Sequence, residues 1–201
     1  TVSSQFDGGR VDFTFSLPND TQDDRKRLAK LKEQILEQLV DSIYADDGST
    51  LEQCVARLLA DRGQKLALVE SASGGSLAAA LATDDRSREV LAGAFVAPGE
   101  DELRRLLQIP DDRWAAASSP SDRIGILATG AAAVTQSDWA VAVGDVRRTE
   151  DGKEFVEVVL KQPNGKLESR TVRLRGQGEW AHFRLTTELM DHLRRKLEPG
   201  E

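Results

Sequence analysis

The chain alternates between short apolar runs and amphipathic stretches along most of its length. Every second residue is apolar in RVDFTFSL, residues 10–17, and this period predicts a half-buried strand. Apolar residues then recur at helical spacing from Arg25 to Tyr44, which predicts an amphipathic helix. A strand and a helix of this size make a small α/β unit, which we predict over residues 1–47.

The remaining residues, 48–201, show the same alternation on a larger scale. Strands are predicted in KLALVE (65–70), EVLAGAFVAP (89–98) and DWAVAVGD (138–145), and a hairpin over 154–175; helices are predicted over 50–61, 74–82, 100–109 and 120–136, and from Glu179 onward. Such an order predicts an α/β domain whose sheet, part parallel and part hairpin, is covered by helices on both faces.

Composition narrows the class of protein. Hydrophobic residues make up 39% and charged residues 30% of the 201 residues, as in globular proteins. No apolar run approaches the roughly 20 residues of a membrane-spanning helix, so we expect no membrane partner. The net charge of −7 argues against broad nucleic-acid binding, which requires a basic surface.

Cysteine and histidine usage bears on compartment and metal binding. The single cysteine, Cys54, forms no internal disulfide and fits a reducing cytoplasm; its helical spacing to leucines and a valine indicates a packing role. One cysteine and two histidines give no metal-ligand spacing, so we predict neither a metal site nor a cofactor.

The chain shows no secretory signal, and because it starts at Thr1 without a methionine we expect a fragment of a longer protein.

The segment LALVESASGGSLAAALA, residues 66–82, carries the strongest chemical signal. An apolar strand runs into Ser71, Ser73, Gly74 and Gly75, and a helix follows. A glycine turn before a helix leaves backbone N–H groups that favour an anion such as phosphate, and a serine could donate hydrogen bonds or act as a nucleophile. In open α/β sheets, ligands bind at the carboxyl ends of strands, where this turn is expected.

A plainer interpretation of the same turn stays open. Ser73 would cap the helix, and the two glycines would only shape the turn. The segment matches neither the dinucleotide-binding fingerprint nor the P-loop.

The same segment resembles a known family. LALVESASGGSLAAAL is similar to A-E-S-C-T-G-G-x-L-A-A-x-L, the signature of the CinA (competence/damage-inducible protein A) C-terminal domain, the nicotinamide-nucleotide amidase family. STLEQCVARLLADRGQKLALVES and LAGAFVAPGEDELRRLLQIP also resemble the family, and residues 10–53 resemble its KH-like linker. The resemblance implies an amidohydrolase fold over 48–201, a pyridine-nucleotide-like ligand such as nicotinamide mononucleotide, and a homo-oligomer.

Several family residues are replaced in this chain. Ser71 matches the family serine, the implied nucleophile, whereas a tyrosine and a lysine that would activate it correspond to Pro98 and Leu103. The family's T-G-I-A-G-P turn corresponds to GDVRRT, in which only Gly144 matches. Losing a positioned acid–base group costs about 10²–10⁴-fold in rate, and losing an oxyanion donor about 10²–10³-fold. The resemblance therefore implies a site that has kept its turn and lost most of its chemistry.

Other side chains could replace the lost groups. Arg147 and Arg148 follow a buried strand and could hold a phosphate, although two arginines in a surface turn are equally explained as solvated. Further candidates are Lys153 and Arg184, while His182 on the terminal helix is interpreted as a surface or partly packed residue.

Three functions stay open at this point. In the first, the chain is a catalytically degenerate CinA-like module that binds a nucleotide-like ligand through Ser71, Ser73, Gly74, Gly75, Gly144, Arg147 and Arg148. In the second, it is an active amidohydrolase with Ser71 as nucleophile. In the third, it is a structural part of a larger protein. Because fold does not decide function, only the site can separate them.

Overall fold

The computed structural model describes residues 1–7, 10–39, 42–83, 85–176 and 178–198, with only the backbone of Asp7. The chain divides into two compact units, Thr1–Thr50 and Leu51–Glu201. This division falls close to the boundary predicted at residue 47.

The first unit is a two-stranded antiparallel sheet with one helix. Strand β1 (Val2–Asp7) pairs with β2 (Arg10–Phe15), and α1 (Gln22–Gln38) follows. Thr21 caps α1, since its hydroxyl accepts a hydrogen bond of 3.1 Å from the Asp24 N–H.

Two expectations for this unit are wrong. The helix predicted to reach Tyr44 ends at Gln38, because the chain leaves helical geometry at Leu39; residues 40–41 lie outside the described residues. Strand β2 is not half-buried, since Phe13 is 60% exposed. Two of the apolar side chains that form this alternation, Phe13 and Phe15, contact each other through stacked rings.

The second unit contains most of the chain and a six-stranded sheet, counted over the described residues. Its elements in chain order are α2 (Leu51–Asp61), β3 (Leu66–Glu70), α3 (Ser76–Leu81), α4 (Asp85–Val90), β4 (Leu91–Val96), α5 (Glu100–Leu106), α6 (Asp111–Ala115), α7 (Pro120–Thr135), β5 (Trp139–Val143), β6 (Arg147–Arg148), β7 (Glu154–Lys161), β8 (Leu167–Arg173) and α8 (Glu179–Leu197).

The sheet is parallel at one side and antiparallel at the other. β3 pairs in parallel with β4 and with β5, whereas β7 is antiparallel to β5, β6 and β8. The carboxyl ends of β4, β3 and β5 therefore meet at one edge, and the turns that follow them are neighbours.

Helices cover both faces of this sheet, as predicted. Every residue of β3 and of β5 is buried, which requires cover on both faces. α7 packs across β3, β5 and β7 on one face, while α2 and α8 pack together and α3 lies against both. The core beside α7 includes Leu103 of α5, Ile124 and Leu127.

In the second unit, three short elements were not anticipated by the sequence prediction. α4, α6 and β6 were not predicted, and each is shorter than seven residues. In α8, Trp180 is 63% exposed, whereas Leu185 and Leu189 are buried.

Several composition-based points can be placed on the structure. Cys54 is a buried thiol on α2, in agreement with the predicted packing role. No helix within the described ranges is long and apolar enough to cross a membrane. The same ranges hold no group of three or more His, Cys, Asp or Glu arranged to bind a metal ion.

Candidate functional site

The turn after β3 lies at the carboxyl edge of the sheet, where ligands are expected. Ser71 N–H donates to the Val143 carbonyl over 3.1 Å, and Ala72 N–H donates to the Gly144 carbonyl over 3.2 Å. These bonds extend the β3–β5 pairing past both strand ends. They hold the turn against the segment that follows β5.

Ser71 belongs to a polar network that joins three turns. Its Oγ donates to Asp145 Oδ1 over 2.5 Å. The Asp145 carboxylate also accepts from the Glu100 N–H at 3.2 Å, and Glu100 Oε1 accepts from the Asp145 N–H at 3.0 Å. Arg147 Nη2 lies 3.5 Å from Glu100 Oε1. The network fixes the Ser71 hydroxyl as a donor to a carboxylate.

The sequence prediction did not include Asp145 or Glu100. For Asp145 the available signal was an acidic residue just after a strand buried on both faces, since such a residue emerges at the carboxyl edge. The parallel register places Glu70 opposite Val143, so Ser71, directly after Glu70, and Asp145, two residues after Val143, come within reach.

Glu70 occupies the place that was predicted for an external anion. This carboxylate is fully buried and accepts from Ser73 Oγ at 2.7 Å, from Leu77 N–H at 3.1 Å and from Ala78 N–H at 2.8 Å. The first free N–H groups of α3 are thus satisfied within the protein. The expectation that they are unpaired and point outward is wrong.

Gly74 and Gly75 shape the turn, whereas the capping role suggested for Ser73 is wrong. Gly74 and Gly75 have φ of +59° and +89°, a left-handed backbone that glycine adopts without strain. Gly75 is the N-cap of α3 and no side chain caps it there. Ser73 is buried and bonds to Glu70 instead, so its hydroxyl is directed inward.

The remaining candidates lie at several positions around the edge. Arg148 donates from two nitrogens to Glu154 Oε1 at 2.9 and 2.6 Å, and Lys153 pairs with Asp151 at 2.5 Å. Arg184 is exposed on α8. The network that contains Ser71 therefore includes Arg147 but neither Arg148 nor Lys153.

Pro98 and Leu103 have different environments. Pro98 is exposed in the turn after β4 and lines a hollow with Val96 and Leu106. Leu103 has no exposed surface and packs in the core beside α7. A polar side chain in place of Pro98 would be exposed to solvent, whereas one in place of Leu103 would lie in the hydrophobic core.

Helix α8 forms a wall beside the glycine turn. The imidazole of His182 lies 3.6 Å from the point where a Cβ on Gly74 would stand. The helix is held there in part by a 2.8 Å hydrogen bond between Ser76 Oγ and Thr186 Oγ1. His182 was interpreted as a surface or partly packed residue, and it is exposed, but its position over Gly74 brings it to the site.

An apolar hollow adjoins the turn on another side. Val96 of β4 lies 3.5 Å from the position of a Cβ on Gly75, and the same side chain lines the hollow with Pro98 and Leu106. The edge therefore offers an apolar surface next to hydrogen-bonding groups, a combination typical of small-molecule sites.

A substitution at Gly144 tests the close packing of this edge. A Cβ there would lie 2.6 Å from Ile124 Cδ1 and 2.9 Å from Glu100 Oε1. We expect Gly144→Ala to lower the free energy of unfolding by about 1–3 kcal/mol, the usual cost of overpacking, in urea denaturation. Gly130→Ala, the same change within α7, is the comparison: a Cβ there would lie 3.3 Å from Ile109 Cδ1, a milder approach, and alanine favours helix, so it should cost less than Gly144→Ala. A Gly144→Ala protein as stable as the native chain would contradict the packing described.

Comparisons with known proteins agree with the resemblance. The sequence model of the CinA C-terminal domain matches residues 48–195. A CinA-like protein from Mycobacterium sp. (strain JLS) is 33% identical over 165 residues, which cover 79% of this chain and 39% of the relative. A CinA-like protein from Thermosynechococcus vestitus is 30% identical over 164 residues, 77% of this chain and 39% of the relative. The chain thus spans about two fifths of these relatives.

Solved structures support the same fold. A CinA superfamily protein from Klebsiella pneumoniae has a TM-score of 0.64 at 27% identity and covers 73% of this chain and 95% of its own. One from Enterobacter cloacae also has a TM-score of 0.64, at 21% identity, covering 78% of this chain and 98% of its own. Because the family model matches well over half of the residues, this chain belongs to the CinA family.

Proposed function

We propose that this chain is a catalytically degenerate CinA-family protein that binds a nucleotide-like small molecule at the Ser71 turn. One observation carries the proposal: the Ser71 hydroxyl donates a hydrogen bond to the Asp145 carboxylate. A carboxylate is a much weaker base than an imidazole or an amine, so this pairing does little to activate a hydroxyl.

The positions implied for the activating groups add to the proposal. Pro98 has no proton to transfer, and Leu103 is enclosed in the core. The α3 N–H groups that could stabilise a developing oxyanion are already bonded to Glu70. Acid–base and oxyanion contributions are both reduced, and little rate enhancement is expected to survive.

The surroundings of Ser71 favour binding of a small molecule. The half-buried Asp145 carboxylate can accept hydrogen bonds from hydroxyl or amide groups of a ligand. The hollow beside Val96 offers apolar surface for a flat ring. A nucleoside-like molecule combines these two chemistries.

One observation favours an active amidohydrolase as the second candidate. The short Ser71–Asp145 contact gives the serine proton an acceptor, and His182 stands beside the same turn. In that case Ser71 Oγ would attack the carboxamide carbon of nicotinamide mononucleotide while Asp145 takes the hydroxyl proton and passes it to the departing ammonia as the C–N bond breaks. Water would then hydrolyse the resulting ester, which releases the carboxylic acid and restores Ser71. The third candidate, a purely structural part, predicts that no small ligand raises the melting temperature.

Ammonia release from nicotinamide mononucleotide separates these functions. We expect no release from the native chain or from Ser71→Ala, with a working amidase as positive control. Nicotinamide mononucleotide should raise the melting temperature of both proteins, and its affinity should change by less than about tenfold, since the serine supplies at most one hydrogen bond.

Two results would overturn this proposal. Release by the native chain and none by Ser71→Ala would establish the amidohydrolase. The absence of any melting shift with this ligand would remove the support for nucleotide-like binding. A homo-oligomer and a cytoplasmic location stay predictions from the resemblance and the cysteine content.

A further inference from the structure

A second hollow, of about 210 Å³, lies between the start of α7 and β6. Arg123 of α7 and Arg147 of β6 both line it, together with Ser118 and Ser119. Arg123 and Arg147 lie more than twenty residues apart in sequence, so the fold brings their charges together.

Neither guanidinium is fully used by an acidic partner. Arg123 lies over the Trp114 ring at 5.6 Å from its centre and has no carboxylate partner among the described residues. Arg147 reaches Glu100 Oε1 only at 3.5 Å, too long for a strong charge-assisted bond. Their remaining N–H donors are available to an anion.

Asp122, next to Arg123 in sequence, is hydrogen-bonded to the start of α7 rather than to either arginine. Asp122 accepts from Ser118 Oγ at 2.6 Å and from Ser118 N–H at 3.1 Å, and these bonds, with that from Ser119, lower the pKa of its carboxyl. Ser119 Oγ accepts the Asp122 N–H over 3.1 Å and caps α7. The start of the helix is thus satisfied, and the two arginines are the groups left for a ligand.

The hollow connects to Ser71 through contacts already described. Arg147 approaches Glu100, Glu100 bonds to Asp145, and Asp145 accepts from Ser71. The hollow and the Ser71 hydroxyl therefore lie at the two ends of one chain of contacts.

We infer that the hollow between α7 and β6 binds a phosphate monoester group through Arg123 and Arg147. This inference rests on the proposed function, because it assigns the anionic end of the same nucleotide-like ligand. Guanidinium groups match phosphate geometry with paired N–H donors, which explains why arginine rather than lysine suits this position. Arg148, bonded to Glu154, has no part in it.

Calorimetric titration with nicotinamide mononucleotide and with nicotinamide riboside, which lacks the phosphate, tests the assignment. Arg123→Gln is the cleanest variant, since Arg123 has no acid partner to release, and Arg147→Gln is its companion. We expect each to weaken the mononucleotide about tenfold, the equivalent of one charge-assisted hydrogen bond, and to leave the riboside unchanged.

Two further variants complete the design. Arg86→Gln removes the same charge from an exposed position on α4 and should bind like the native chain. Arg123→Lys keeps the charge without the planar fork and should lie between native and Arg123→Gln. Circular dichroism checks that each variant is folded. If Arg123→Gln does not fold, the comparison with the native chain is made with Arg123→Lys.

The outcomes separate this inference from the proposed function. If the native chain and Arg123→Gln bind the mononucleotide equally well, the hollow is not the phosphate site, and the proposed function stands. A second outcome is that the native chain does not bind the mononucleotide, while inorganic phosphate raises its melting temperature more than that of Arg123→Gln. This result would support the hollow as a phosphate site and overturn the proposed function. If the native chain responds neither to the mononucleotide nor to inorganic phosphate, both claims fail.

Discussion

Replacement of Leu103 by lysine should unfold the second unit. The leucine has no exposed surface, and its burial contributes about 1.5–3 kcal/mol. An unpaired ammonium in the same place costs several kcal/mol more. The combined loss approaches the whole stability of an ordinary domain, about 5–15 kcal/mol, so Leu103→Lys should lack a cooperative urea transition.

This result bears on function because Leu103 matches the lysine of the family pattern. If lysine cannot be accommodated here, restoring the family residue alone cannot restore amidase chemistry. Leu106→Lys, on the same helix but 56% exposed, is the matched control and should change stability by less than about 0.5 kcal/mol. A stable, folded Leu103→Lys protein would show that this position can carry a cation, and the argument for degeneracy would weaken.

Replacement of Glu70 by alanine is expected to lower the free energy of unfolding by about 3–5 kcal/mol. The change removes the acceptor of three hydrogen bonds in a fully buried setting. Each donor left without a partner costs about 1–3 kcal/mol. Urea denaturation measures the loss, and faster amide exchange at Leu77 and Ala78 would locate it.

Two variants make the Glu70 result specific. Glu70→Gln keeps the shape but replaces one accepting oxygen by a donor, so we expect an intermediate loss. Glu89→Ala removes an exposed glutamate from α4 and should change stability by less than about 0.5 kcal/mol. Equal stability of Glu70→Ala and Glu89→Ala would contradict the capping role.

The fold class and the buried strands were predictable because their signals are local. β3 and β5 are continuous apolar runs, and both are buried as predicted. Strand β1 was missed because VSSQFD has no clear alternation and is paired only through β2. Phe13 was predicted to be half-buried because a period of two identifies a face and cannot reveal whether anything covers it.

The site was predictable only where one segment carries it. Ser71, Gly74 and Gly75 lie in one turn, and the motif located them correctly at the carboxyl edge. Asp145 and Glu100 depend on the register of β3 against β5 and on the turn after β4, which no single segment specifies. From the sequence, Glu70 is predicted only to be the last residue of a strand. Its role in capping α3 can be recognised only when the position of α3 is known.

The contact between Ser71 and Asp145 also has a consequence for folding. It joins residues 74 apart in sequence, whereas the hairpin of β7 and β8 joins neighbouring segments. Contacts between distant segments form late, because closing a long loop costs entropy before the contact rewards it. A chain emerging from the ribosome therefore has no complete pocket until β5 has been made and has found β3, and ligand capture would report the end of folding rather than an early stage of it.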